Sequence, residues 1–134
     1  MDGIRVILSY LGGNKESAEA FQAAMGKEIS SLSLGEDEAL HMVFADGSKL
    51  AVYDDGQSCC ESRYMRTDDD LAFYVGAKLL GGTVKDGPTA KDEYDDEHEI
   101  QFLEIQTSKG VITFTSHNEH NGYYGGFAIR AKNE

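Results

Sequence analysis

The chain has 134 residues and 40% hydrophobic content, enough for one domain whose core needs neither a metal nor disulfide staples. Its 24 acidic and 12 basic residues give a formal net charge of -12. That balance leaves no basic stripe to neutralise phosphates, so direct nucleic-acid binding and attachment to anionic membranes are excluded as expectations.

The chain reads as a single domain, 1–134. The segment 4–11 is apolar but carries Arg5, lacks a charged leader and cleavage site, and is far shorter than the roughly 20 residues of a membrane span. After a candidate cap at Asn14, Ala18, Phe21 and Met25 recur at helical spacing, and Gly26 ends the turn. Ile29, Leu32 and Leu34 then suggest a strand. A hairpin follows, 40–44 and 50–53 around Asp46-Gly47, because glycine supplies the positive φ that a tight turn requires.

The second half repeats the plan. Asp68, Asp69 and Asp70 suit a helix start, and Leu71, Tyr74 and Val75 give a short helical face that Gly76 stops. Leu79, Leu80 and Val84 resemble a strand, 100–105 and 111–115 a hairpin around Ser108-Lys109-Gly110, and 127–131 a last strand. Gly26-Lys27-Glu28-Ile29 matches Gly76-Ala77-Lys78-Leu79 fifty positions on, so half-repeats 14–57 and 68–124 are a candidate duplication with an acidic insertion at 85–99. Within it, 92–99 carries six acids and reads as a mobile solvated loop. The expected fold is α+β, a mainly antiparallel sheet with two short helices near 15–25 and 69–75, from a helix-strand-hairpin unit used twice.

Both cysteines are adjacent, Cys59 and Cys60, and neighbours cannot close a useful loop. Without a leader, this points to a reducing, cytoplasmic setting. Two polar clusters follow equivalent hairpins. One is Gln57, Ser58, Cys59, Cys60 and Glu61; the other is Asn118, Glu119, His120, Asn121, Gly122, Tyr123 and Tyr124.

These segments resemble a family of small phage- and prophage-encoded proteins classed as a domain of unknown function, marked by a Gln-x-Cys-Cys-Glu segment and a later Asn-Gly-Tyr-Tyr segment. The likeness covers roughly 21–131, which implies that residues 1–20 are an N-terminal extension, and Ser58 and His120 depart from the pattern. It implies a related fold and a bacterial-host setting, and no established activity.

The candidate ligand-binding residues are Gln57, Cys59, Cys60, Glu61, Asn118, Glu119, Asn121, Tyr123 and Tyr124; no catalytic or metal-ligating residue and no cofactor is assigned. A reactive thiolate would need an imidazole such as His117 or His120 beside it. A zinc site would need four convergent donors, which adjacent cysteines in extended chain do not readily supply. Glu61 and Glu119 could pair for acid–base work, although Arg63 and Arg66 are ready ion-pair partners. The expected function is a non-enzymatic accessory protein binding a host protein with a basic surface, or a small ligand. The alternatives are a small enzyme or metalloprotein using the two clusters, and an acidic DNA mimic.

Overall fold

The computed structural model describes residues 15–35, 39–54, 61–91, 97–120, 127 and 129–133. Among the described residues, one helix, α1 (Lys15–Ala24), precedes strands β1 (Ile29–Leu34), β2 (Leu40–Phe44) and β3 (Lys49–Asp54). Then come β4 (Glu61–Arg66), a 3-10 turn (Leu71–Tyr74), β5 (Leu79–Lys91), β6 (Glu97–Thr107), β7 (Gly110–His120) and β8 (Ile129–Asn133). The strands form two four-stranded antiparallel sheets, ordered β1-β2-β3-β8 and β4-β7-β6-β5.

Alternating apolar residues build the core because successive strand side chains point to opposite faces. Leu40, Met42, Phe44, Leu50 and Val52 from the first sheet are buried with Leu103, Ile105, Ile112 and Phe114 from the second, in one continuous cluster. Helix α1 adds Ala18, Phe21 and Ala24 to the same cluster. Its Ser17 hydroxyl accepts the Ala131 N–H at 3.1 Å, so the helix also covers the outer edge of β8. Both hairpin glycines hold the expected positive φ, 87° at Gly47 and 125° at Gly110.

Each sheet takes three consecutive strands from one half of the chain and its fourth from the other: β8 completes the first and β4 the second. Where the halves meet, Glu28 bridges Lys78, and the hydrogen bonds around the bridge recur fifty residues apart. The Gly26 N–H reaches the Leu79 carbonyl at 2.6 Å, and Gly76 reaches Ile29 at 2.7 Å. Leu79 in turn donates to Lys27 at 3.0 Å, and Ile29 to Ala77 at 2.8 Å.

The fold is thus α+β and mainly antiparallel, with three departures from expectation. The second helix is only a four-residue 3-10 turn. Its lead-in is pinned against β7, because Thr113 donates to the Asp69 carboxylate at 2.7 Å and accepts from the Thr67 hydroxyl at 2.8 Å. With Gly76 already bound to Ile29, too few residues remain for an α-helix to form. The insertion 85–99, second, lengthens a hairpin. Lys91 pairs with Glu97, Ala90 with His98 and Thr89 with Glu99, so 97–99 are strand and not loop; 92–96 lie outside the described residues. Ladder pairing satisfies their backbone groups despite the charge density. Last, the final strand runs Ile129–Asn133, two residues later than its apolar pattern suggests.

Candidate functional site

Three of the nine expected site residues, Glu61, Asn118 and Glu119, can be located. Gln57, Cys59, Cys60, Asn121, Tyr123 and Tyr124 lie outside the described residues. The other expected residues fall on two paired strands. Glu61 opens β4 opposite His120 on β7, with Glu119 facing Ser62 and Asn118 facing Arg63. The register therefore sets the described ends of the two polar segments side by side, through strand pairing within one sheet. Beyond these segments, Asp54 at the end of β3 pairs with Ile129 at the start of β8.

Asn118 and Glu119 part company at the sheet. Asn118 faces the core side and is fully buried, two residues from Ser116, which is 2% exposed. Glu119 is exposed on the outer face. There Tyr64 stands opposite His117, and His98 opposite Glu119, across β4, β7 and β6. Tyr64 donates its hydroxyl to Glu119 Oε2 at 2.7 Å. Its ring stacks on His117 with centroids 4.6 Å apart and planes 10° apart, while the Arg66 guanidinium lies 4.9 Å from the Tyr64 centroid. His98 Nε2 and His117 Nδ1 are 2.8 Å apart and share one hydrogen bond. The residues belong together only through register: Tyr64 and Glu119 are 55 positions apart in the chain.

The electrostatics follow from partial burial and close neighbours. Loss of water pushes the His117 pKa below its usual 6.5, and the nearby His98 lowers it further. Burial likewise raises the Tyr64 phenol above its usual 10.0, helped by the hydrogen bond to Glu119 and that carboxylate's charge. Both shifts favour the uncharged forms, so at neutral pH the Tyr64 phenol and the His117 imidazole are neutral. Among the described residues, no three His, Cys, Asp or Glu side chains come together as a metal-ligand set.

A family model described as Domain of unknown function (DUF7448) matches residues 22–129. The chain belongs to the DUF7448 family. The match runs from Gln22 in α1 to the first residue of β8, so the DUF7448 domain includes β1 to β7 and both polar segments. No curated protein and no solved structure matches the chain. Among the described residues of this DUF7448 protein, no helix is long and apolar enough to cross a membrane.

Of the outer-face cluster, the sequence reading had named Glu119 as a ligand-binding residue, His117 as a possible activating imidazole and Arg66 as an ion-pair partner. Tyr64 and His98 were missed. A usable signal existed in the alternation His98, Ile100, Phe102 entering β6, which marks one strand face within the acidic run.

Proposed function

We propose that this DUF7448 protein is a non-enzymatic binding module, a phage or prophage accessory protein acting in the bacterial cytoplasm. Its contact surface is the outer face of the second sheet around Tyr64, His98, His117 and Glu119, and its partner is a host protein or a small ligand. One observation carries the reading: Tyr64 is hydrogen-bonded to Glu119 and His98 to His117, on a half-buried aromatic shelf. Tyrosine and histidine rings held in fixed positions offer contact area at low entropic cost, as binding surfaces require. Catalysis finds less support, because the Tyr64 phenol is moved away from ionisation and each imidazole is turned toward the other. The DNA-mimic alternative needs a free track of carboxylates, whereas Asp46, Asp69 and Glu119 each accept local hydrogen bonds.

The register beside the cluster supports a link to the two sequence motifs, since Glu61 and His120 pair at its end. The hydrogen bonds repeated at fifty residues support the further reading that the domain arose by duplication of one helix-strand-hairpin unit, with exchanged fourth strands.

Affinity capture from a host lysate, with small-molecule extraction of the bound material, tests the function. Wild-type protein should retain a partner or ligand that Tyr64→Ala and His117→Ala both lose while remaining folded. Retention by both variants at wild-type level would reject this surface.

A further inference from the structure

On the first sheet, which does not carry the Tyr64 cluster, a cavity of about 480 Å³ opens between helix α1 and the end of β8. Its walls include Glu16 and Ser17 from the helix, Tyr53 from β3, and Arg130, Lys132 and Asn133 from β8. The volume lies within the range of about 300–1,000 Å³ common for small-molecule sites. The helical wall is fixed in place, because the Ser17 hydroxyl accepts the Ala131 N–H at 3.1 Å.

The chemistry of the lining is unlike that of the chain as a whole. Arg130 and Lys132 alternate along one strand and so share a face. Tyr53 sits directly opposite Arg130 in the register, and the Lys132 ammonium lies 5.1 Å from the Tyr53 ring centroid. Two cations and a phenol ring are thus gathered in one cavity of a protein with net charge -12. A guanidinium presents a planar fork matched to two acid oxygens, and an ammonium adds a mobile point charge. The polar walls disfavour an apolar guest, and Glu16 on the facing side disfavours a ligand carrying several negative charges.

We propose that this cavity binds a small oxyanion, a phosphate or a carboxylate, held by Arg130 and Lys132 beside Tyr53. The site is on the other sheet from the cluster assigned above, so it stands or falls independently of that reading.

Amide spectra of the ¹⁵N-labelled full chain, titrated separately with inorganic phosphate, acetate and uncharged glycerol, test it. Either anion should shift the Tyr53, Arg130, Lys132 and Asn133 amides saturably, and glycerol should not. A tighter phosphate curve assigns phosphate as the guest, and a tighter acetate curve assigns carboxylate. Lys132→Gln, at an exposed position where folding is secure, should weaken binding about tenfold, as should Arg130→Gln if its spectrum remains dispersed. Lys49→Gln, which removes an exposed charge elsewhere on the first sheet, should leave binding unchanged. Saturable shifts from neither anion would overturn the proposal, and so would equal weakening by Lys49→Gln and Lys132→Gln.

Discussion

The edge strands β8 and β4 occupy matching places, each the fourth strand lent to a sheet by the other half of the chain. Each takes part in a tyrosine–cation pair, Lys132 of β8 over Tyr53 of β3 on one sheet, and Arg66 over Tyr64, both of β4, on the other. At β8, helix α1 lies against the strand, binds an edge amide and encloses a cavity. The corresponding element of the second half is a 3-10 turn of four residues, and it packs against β1. Tyr64 therefore keeps an outer face on which His117, His98 and Glu119 assemble. A common hydrogen-bonded frame can carry two different surfaces, and the length of one helix separates them.

The largest expected effect strikes the frame itself. Ile29 and Leu79 are fifty residues apart, fully buried, and make matching hydrogen bonds across the halves. Replacing either with alanine should cost about 2–5 kcal/mol in chemical denaturation. Closely similar losses would uphold the equivalence, and a cost confined to one position would break it.

Two substitutions should then separate the sheets. Gly87→Ala would place a Cβ 2.8 Å from the Ile100 carbonyl oxygen and 2.9 Å from the Phe102 ring, so β5 or β6 must shift, at about 1–3 kcal/mol. Amide exchange should rise along β5 and β6 and stay unchanged in β8. Ser17→Ala removes the acceptor of the Ala131 N–H, at about 1–3 kcal/mol, with the opposite pattern. Matching exchange changes in both sheets for either variant would contradict the division.

A smaller effect, linked to pH near neutrality, should belong to His117 on the second sheet. The His117 pKa is lower folded than its usual 6.5, so the unfolded chain takes up this proton first as pH falls. Stability linked to His117 is present above about 6.5 and is lost as pH drops through the lowered folded value. Comparing thermal midpoints of wild type and His117→Gln across that window should show a shallower acid slope in the variant. Superimposable profiles would remove the linkage.

Local chemistry was legible in the sequence where it acts locally. Asp46-Gly47 announced its hairpin because the turn conformation is set by those two residues, and the apolar spacing from Ala18 to Phe21 announced α1. The extent of the 71–74 element was hidden, since tethers from Thr67 and Asp69 to β7 fix it and lie 44 or more positions away in the chain. The strand character of 97–99 was masked by charge, and only pairing with 89–91 reveals it. Sequence reading gathered candidate residues by closeness in the chain. The Tyr64–His117–His98 cluster is gathered by closeness across a sheet, so only Glu119 was taken for a ligand-binding residue, with His117 and Arg66 in lesser roles.

The measurement closest to the central claim is site-specific photo-crosslinking in a host lysate. A photoreactive residue is placed at Thr115, which lies opposite Arg66 and Phe102 beside the Tyr64 cluster, or at exposed Lys49 on the first sheet. The account predicts a discrete adduct from position 115 that Tyr64→Ala abolishes, and none from position 49. Adducts of equal yield from both positions, or an adduct at 115 indifferent to Tyr64→Ala, would contradict it.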